Sequence, residues 1–571
     1  MSFIESISKK QKLIFLISFV LGAVFLLWKM QYGYIFNDEP FILSLGHRFL
    51  KGDKLFINEW NGTQLFSLIN FPIIKLYSLI KNPVVELVLF VRIIYVIWWL
   101  FVSYLIYRRL ERFGLVSVAV MLYFMLFTPL DNMSITYNVM SLSLFCIFTT
   151  YFMVKGNVVT DILTGVVLAF AVIASPYSVV LYVVYAMTVI FVNITKLKNK
   201  PFASAKIFNF KVFLNITIGA SLVAIVFLAY LYWVGFDNIF KSFEMIFMYR
   251  KLPFANKLIS IIKVLVYDYT IQTVFGMLVI MISFFDKKRY ERRFIYFTIQ
   301  TVLWGITMAY IMLNYFFKLN VIMMPLTVLG LQAYILTKNK NLNIFLSLWV
   351  PGIIFAICSN ESSDTGILVV SMATTIAGIA SFLLIFLFAK EFNNESDKIK
   401  RLVVFGLMLI VCVQLGCQLF TRSMRNYLDL ITPRLDTRIS VGVAKGIITT
   451  KEKALKYEEV YDDLQIIKNS AKPDDNVLIA SLFPSAYLDL DMNYGTYSSW
   501  TYINNSKNFV DFTYRLGKYY DLNNDKIPQY IYVLNEDEEE LGLVDDVVNL
   551  ENYDLVQGKR GMIFIEKKIP N

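Results

Sequence analysis

Long apolar runs separated by short polar segments fill the first 420 residues of the chain. A helix needs roughly 20 apolar residues to cross a bilayer, and the sequence has about thirteen runs near that length. They lie at 12–30, 84–107, 113–129, 137–154, 158–174, 176–194, 212–235, 263–285, 294–315, 319–336, 342–358, 366–389 and 402–420. The pattern predicts a polytopic α-helical membrane protein. No small-residue cleavage site follows the first run, which is therefore expected to stay as an anchor.

Basic residues fall in every second loop, which predicts how the helices are oriented. The loops after the even-numbered helices all contain Lys or Arg: 108–112, 155, 196–211, 286–289, 338–340 and 390–401. The alternate loops are longer or acidic, and the first of them spans 31–83. Because Lys and Arg mark cytoplasmic loops, we expect the N-terminus inside and the chain after residue 420 outside a plasma membrane. The Lys-, Asn- and Ile-rich composition indicates a bacterial source.

Composition changes sharply at about residue 421, where the apolar runs stop. Residues 421–571 hold 18 Lys and Arg against 24 Asp and Glu, whereas residues 1–420 hold 36 against 19. The later part shows helical patterns at 452–470 and 508–520, strand patterns at 476–480 and 530–533, and a possible hairpin of 553–557 with 561–566. We therefore predict a transmembrane domain over 1–420 and a small extracytoplasmic α/β domain over 421–571.

Overall composition narrows the classes of function. The chain is 57% hydrophobic and 17% charged, with a mean hydropathy of +0.58. Its net charge is +11, and because the basic excess lies among the apolar segments, it does not indicate binding of nucleic acid. One His and four Cys inside apolar runs exclude a His-rich metal centre and a disulfide framework. No phosphate-binding loop of ATP-driven transporters is present. The motif Asp489-Leu490-Asp491 is interpreted as chance, because no nucleotide sugar is expected outside the cell.

The first outer loop carries the strongest candidate for chemistry. It begins with Asp38 and Glu39 directly after the first apolar run. Two adjacent carboxylates at the lipid boundary are costly unless a cation, a metal or a substrate hydroxyl engages them, so one of them is a candidate general base. Alternatively, Asp38 or Glu39 caps a helix that starts at Pro40, and both roles are compatible.

The same loop resembles a known family. The acidic pair, the turn from Gly46 to Asp53, the segment 58–64 and an apolar stretch containing Pro72 are similar to the GT-C class of integral membrane glycosyltransferases. Protein O-mannosyltransferases and the lipid A aminoarabinose transferase belong to that class. The resemblance implies roughly 11 to 13 helices, juxtamembrane helices in the first outer loop and a polyprenyl-linked sugar donor. It also implies that the catalytic base is Asp38 by position, although a second Asp two residues later is missing.

A lipid-linked donor requires a phosphate site near the outer surface. Arg pairs bidentately with phosphate, so Arg48, Arg250 and Arg425 lead the candidates, with His47 beside them; each is alternatively an interfacial anchor. Other cations of the outer face are Lys51, Lys54, Lys251, Lys318 and Arg422. In the second outer loop, Asp131, Tyr137 and Asn138 are candidates for binding sugar hydroxyls, or parts of an ordinary capped turn.

These features predict a glycosyltransferase that moves a hexose or pentose, with inversion, from a polyprenyl-phosphate donor to an extracytoplasmic glycan, lipid or protein. Asp38 is the predicted base and Glu39 its catalytic neighbour. The alternatives are a flippase or transporter for a polyprenyl-linked glycan, and a polymerase or ligase of surface polysaccharides. The sequence leaves a divalent cation such as Mg²⁺ or Mn²⁺ open. Scarce ionisable residues within the spans count against coupled transport.

Overall fold

The computed structural model describes residues 2–81, 85–195, 205–247, 254–267, 269, 271–314, 319–362, 366–394, 396–500 and 512–567. Helices dominate, as the apolar pattern predicts. Their bounds are α1 Ser2–Lys29, α2 Asp38–Leu50, α3 Ser67–Ile80, α4 Leu87–Leu110, α5 Leu115–Met125, α6 Tyr137–Tyr151, α7 Val158–Ala174, α8 Val179–Ile194, α9 Phe210–Val234, α10 Phe236–Phe247, α11 Phe254–Tyr267, α12 Gly276–Phe285, α13 Arg293–Asn314, α14 Met324–Leu336, α15 Leu342–Ile344, α16 Val350–Ser362, α17 Ile367–Ala373, α18 Thr375–Lys390, α19 Asp397–Met424, α20 Lys451–Ser470, α21 Ser485–Leu490, α22 Phe512–Leu522 and α23 Leu541–Val548.

The apolar helices make the chain an integral membrane protein. Within the described ranges, seven helices are long and apolar enough to cross a bilayer, or up to nine if two bent pairs each count as one span. The expected count of about thirteen is not confirmed. Several runs that the sequence presents as spans are shorter helices of 10–17 residues, among them α5, α7 and the helix at 321–336. Breaks shorten them: Gly114 precedes α5 with a φ of +70°, and Pro129 follows it in a 3₁₀ turn.

The first outer loop forms two helices, α2 and α3, that pack against each other. Helix α2 is almost fully buried from Glu39 to Arg48. Gly46 lies where α3 approaches most closely, since a Cβ there would sit 2.8 Å from Ile74 Cδ1 and 3.0 Å from the backbone nitrogen of Phe71. Helices in this loop agree with the resemblance, and their position at the membrane stays a prediction. Gly46, the first of the two glycines in the Gly46-to-Asp53 segment, therefore serves helix packing.

The C-terminal part contains the predicted α/β arrangement. A five-stranded sheet has the order β4-β3-β5-β7-β6, with β3 parallel to β4 and β5, and β7 antiparallel to both β5 and β6. Together with a two-stranded ribbon, the strands are β1 Thr437–Arg438, β2 Ile448–Thr449, β3 Asn476–Ile479, β4 Asn493–Tyr494, β5 Tyr530–Leu534, β6 Tyr553–Gln557 and β7 Gly561–Glu566. The helix expected at 452–470 and the hairpin of β6 with β7 are confirmed. Helix α22 covers the described part of the helix expected at 508–520, and residues 508–511 lie outside the described ranges.

The C-terminal domain sits on the first outer loop through backbone hydrogen bonds. The N–H of Gly33 donates to the carbonyl of Ile448 at 2.9 Å, and the N–H of Trp60 donates to the carbonyl of Tyr497 at 2.8 Å. Helix α4 also contacts the C-terminal domain, because the N–H of Val88 donates to Val443 O at 3.0 Å. The loop is thus held between the helical bundle and the sheet. The division of the chain at residue 421 stays a prediction, and α19 itself runs to Met424.

The two ends of the bundle gather different loops. At one end, loops predicted to lie inside contact each other: Gln11 Nε2 donates to Glu111 O at 3.0 Å, and Arg293 pairs with Glu391 at 2.9 Å. At the other end, the first outer loop, the second outer loop and the segment after α19 meet. The sidedness of the loops stays a prediction. Which end faces the cytoplasm stays a prediction.

Helices α7 and α9 cross at two glycines, which gives a stability prediction. A Cβ at Gly165 would lie 1.9 Å from Ile216 O, and one at Gly219 would lie 1.9 Å from Ile162 O. We expect Gly165→Ala to force these helices apart and to cost about 1–3 kcal/mol, measured as a lower unfolding midpoint in detergent. Gly305→Ala in α13 is the control, because a Cβ there meets no described atom within 4 Å. Equal midpoints for the two variants would contradict this packing.

Candidate active site

Asp38 opens α2 at the surface of the bundle. The helix is capped by Asn37, whose side chain accepts a hydrogen bond from Asp38 N, so the expectation that Asp38 or Glu39 caps a helix beginning at Pro40 is wrong. The carboxylate of Asp38 instead accepts a hydrogen bond from Tyr427 Oη, which is 2.6 Å from Oδ2. Burial raises the pKa of Asp38 above its ordinary value, and this hydrogen bond opposes the shift. Such a carboxyl is a suitable general base.

Glu39 has a different environment from its neighbour. Both of its oxygens accept from Arg92 of α4, at 3.0 Å from Nε and 2.6 Å from Nη2, and the residue is 1% exposed. The remaining Arg92 donors bind the backbone after α1, including Met30 O at 2.8 Å and Gly33 O at 2.8 Å. Glu39 therefore anchors α2 to α4. The predicted catalytic role of Glu39 has no support in this geometry, because Arg92 binds both carboxylate oxygens and the side chain is buried.

Arg422 is the most unusual group in the site. It lies in the last turn of α19 and is 0% exposed, yet none of its three guanidinium nitrogens has a hydrogen-bond partner within the described part of the chain. Its nearest carboxylate is Asp131, with Nη1 3.8 Å from Oδ1. Asp131 pairs more closely with Arg425, whose Nη2 is 3.2 Å from Oδ2. A buried guanidinium without hydrogen bonds is costly, which indicates a place for an anionic ligand.

Lys29, the last residue of α1, brings a further amine to the same place. Its Nζ is 2.7 Å from Asn426 Oδ1 and 2.5 Å from Thr432 Oγ1, and it is 1% exposed. These partners belong to the segment that follows α19. The outer ends of the first and last long helices are therefore joined through polar contacts beside Arg422.

A small cavity lies between these groups. Its wall is formed by Lys29, Tyr32, Gly33, Ile35, Glu39, Arg92, Asp131, Asn132, Met133, Arg422, Asn426 and Tyr427. Glu39 and Arg92 neutralise each other. The remaining guanidinium groups are those of Arg422 and, behind it, Arg425, against the single carboxylate of Asp131, so the cavity is electropositive; Lys29 adds a hydrogen-bond donor. Asp38 is attached to this wall through its hydrogen bond to Tyr427.

Two residues predicted to bind phosphate, Arg48 and His47, contact other protein groups instead. Arg48 is 1% exposed and donates to Asp53 at 2.8 Å, to Glu59 at 3.0 Å and to two backbone carbonyls. His47 lies between Tyr494 at 2.9 Å and Asp491 at 2.8 Å, and burial lowers the pKa of this imidazole despite the carboxylate. Both residues fasten α2 to the C-terminal domain, and the described contacts do not support binding of phosphate by either.

The other predicted residues divide between the site and its surroundings. Tyr137, at the start of α6, is close enough to Asp38 to interact with its charge, and Asn138 is buried next to it. Neither lines the cavity. The capped turn expected here is present in part, since Thr136 Oγ1 accepts from Val139 N at 3.2 Å. Arg250, Lys251 and Lys318 lie outside the described residues.

The carboxylates around the cavity do not form a metal site. The described residues contain no group of three or more His, Cys, Asp or Glu side chains placed to hold a metal ion. Glu39 and Asp131 both face guanidinium groups, a donor set that does not fit a divalent cation. In Asp489-Leu490-Asp491, the first carboxylate accepts from Tyr457 and from Val443 N at 2.7 Å, and the second pairs with Lys51 at 2.7 Å. Asp489 is therefore bound within the C-terminal domain, and Asp491 joins that domain to the first outer loop.

Sequence reasoning missed three groups of the site. Lys29 and Arg92 lie at the outer ends of apolar runs and look like interfacial anchors, and Tyr427 follows the last run among other polar residues. Arg422 is one of several cations predicted for the outer face, and nothing in the sequence shows that it is unpaired whereas Arg48 is paired. A usable signal was present: two apolar runs that end outside with Lys29 and Arg422 must bury or pair these charges if the helices meet.

No protein-family model matches the chain, and no curated protein matches its sequence. Among solved structures, the chain is similar to the crystal structure of ArnT from Cupriavidus metallidurans bound to undecaprenyl phosphate. The identity is 9%, the TM-score is 0.49, and the match covers 97% of each chain. A likeness at this level does not assign an activity.

Proposed function

We propose that this protein is a membrane glycosyltransferase that transfers a sugar from a polyprenyl-phosphate donor to an acceptor outside the cell. The observation that carries the proposal is Arg422, a buried guanidinium without hydrogen-bond partners among the described residues, on the wall of an electropositive cavity. An anion of tetrahedral shape and several oxygens matches such a group.

The position of the cavity favours a lipid phosphate over a soluble one. Lys29 and Arg422 occupy the last turns of α1 and α19, which are both candidate membrane spans. A headgroup phosphate lies at this depth, where its polyprenyl chain can remain in the bilayer. Hydrophobic side chains exposed along these helices, such as Leu21 at 65% and Phe420 at 47%, suit contact with such a chain.

The chemistry follows from the carboxylate beside the cavity. Asp38 removes the proton from an acceptor hydroxyl as its oxygen attacks the anomeric carbon, and the bond from that carbon to the phosphate oxygen breaks. The departing phosphate gains one negative charge. Arg422 and Lys29 therefore bind the departing phosphate more strongly than they bind the phosphate of the intact donor. Direct displacement inverts the anomeric configuration. This route needs only one carboxylate, as the base, so it is compatible with the ion pair between Glu39 and Arg92.

The proposal is tested by incubating the purified protein in nanodiscs with a panel of polyprenyl-phosphate sugars and a cell-envelope extract as acceptor. We expect release of polyprenyl phosphate from at least one donor, which would also identify the sugar. Polyprenyl glycosides that lack the phosphate are the control and should give no transfer. No release from any donor by folded protein would contradict the proposal and favour a flippase, or a ligase that uses a larger glycan donor.

A further inference from the structure

Tyr427 lies three residues beyond α19, in the segment that leads to the C-terminal domain. Its hydroxyl donates to Oδ2 of Asp38 across 2.6 Å, whereas no described residue donates a hydrogen bond to Oδ1. We propose that Tyr427 is a positioning residue for the base: it fixes one oxygen of Asp38 and leaves the other directed to the acceptor hydroxyl. This inference rests on the proposed function.

The segment around Tyr427 is held on both sides, so its ring is a rigid support. Before it, Asn426 accepts from Lys29 at 2.7 Å and donates to Leu430 O at 2.8 Å. After it, Asp429 accepts from the N–H of Tyr34 at 2.9 Å and pairs with Lys453 of α20 at 3.0 Å. A side chain fixed by such contacts can hold a reacting group in place.

The same segment contacts both the cavity proposed for the phosphate and the proposed base. Asn426 and Tyr427 line the cavity with Arg422, and among the described residues only Tyr427 donates a hydrogen bond to the Asp38 carboxylate. Asp429, two residues later, is bound by the first outer loop and by α20. The C-terminal domain therefore contributes to the orientation of the base through its connection to α19, although Asp38 itself lies in the first outer loop.

The ionisation of Asp38 also depends on this contact. Burial raises the pKa of Asp38, and the hydrogen bond from Tyr427 lowers it again. Burial and the nearby Asp38 raise the pKa of the Tyr427 phenol, which therefore remains a donor. The other groups that face the pair are Tyr137, which interacts with Asp38, and Asp131, which interacts with Tyr427; Glu39 is turned to Arg92.

The test is Tyr427→Phe in the full-length protein, with transfer rates measured from acidic to neutral pH. We expect a decrease in kcat of about tenfold, no change in KM for the lipid donor, and a shift of the acid limb to higher pH. The sign follows because loss of the donor raises the pKa of Asp38, and the base works only when ionised. Tyr514→Phe, an exposed tyrosine of α22, should leave rate and profile unchanged.

Tyr427→His tests whether the effect of Tyr427→Phe is merely structural. The imidazole retains a hydrogen-bond donor, so this variant should recover part of the rate that Tyr427→Phe loses. A Tyr427→Phe enzyme with the wild-type kcat and pH profile, alongside an inactive Asp38→Asn enzyme, would overturn the positioning role alone. Retained activity in Asp38→Asn would overturn the proposed base instead, whatever Tyr427→Phe does. Loss of folding in Tyr427→Phe with no rescue by Tyr427→His would also contradict the positioning role.

Discussion

Asp38→Asn is expected to reduce transfer by about 10²- to 10⁴-fold, the usual contribution of a general base, without loss of folded protein. The amide is nearly isosteric with the carboxylate, and its oxygen still accepts from Tyr427, which is 2.6 Å away in the wild type. Helix α2 keeps its cap, because Asn37 provides it. Only the capacity to remove a proton is lost. Initial rates of polyprenyl phosphate release and the unfolding midpoint measure both quantities.

Asp436→Asn is the matched control, since this carboxylate is exposed near the start of β1 and should give the wild-type rate. Glu39→Gln should behave differently again. Its charge holds Arg92 at 2.6 Å, so we expect a lower unfolding midpoint and a milder loss of rate than in Asp38→Asn. Wild-type turnover by Asp38→Asn would contradict the assignment of the base.

Arg422→Met is expected to abolish the response to polyprenyl phosphate and yet leave the ligand-free protein as stable as the wild type, or more stable. The guanidinium is 0% exposed and has no hydrogen-bond partner among the described residues. A buried ion carries a desolvation penalty of several kcal/mol, and replacing an ion that lacks hydrogen bonds by an apolar group removes this penalty. A group kept at such a cost is typical of a binding site.

Arg48→Met provides the matched comparison, because Arg48 is equally buried but fully engaged by carboxylates and carbonyls. Removing it leaves Asp53 and Glu59 short of a partner, at a cost of about 3–5 kcal/mol. Unfolding midpoints with and without added undecaprenyl phosphate test both variants. A large loss of ligand-free stability in Arg422→Met, or an unchanged shift with the lipid, would contradict the role of Arg422.

Local patterns predicted the elements that depend on local sequence. The hairpin of β6 and β7 has the expected bounds because two short strand patterns flank a turn that contains Gly558. The apolar runs of α1, α4 and α9 likewise became long helices. The count of spans failed where a run is interrupted, as at Pro129, since hydropathy reports how apolar a segment is but not where its helix ends.

Pairing between distant segments explains what the sequence did not predict. Arg48 looks like an exposed cation of an outer loop, but the carbonyl of Thr496, 448 residues later, lies 2.7 Å from its Nη2. Arg422 and Arg425 lie three residues apart in the sequence, which does not show that the fold places Asp131 closer to Arg425. Asp38 is a candidate already in the sequence because its signal, an acidic pair after the first span, is local, and its role as the base stays a prediction.

The central claim is that a lipid phosphate binds at Arg422, and a structure of the protein in nanodiscs with undecaprenyl phosphate tests it most directly. We expect the phosphate in the cavity, within hydrogen-bonding distance of the Arg422 guanidinium and beside Lys29, with the polyprenyl chain leaving between helices toward the bilayer. A phosphate bound elsewhere, with Arg422 still lacking hydrogen bonds, would contradict the claim.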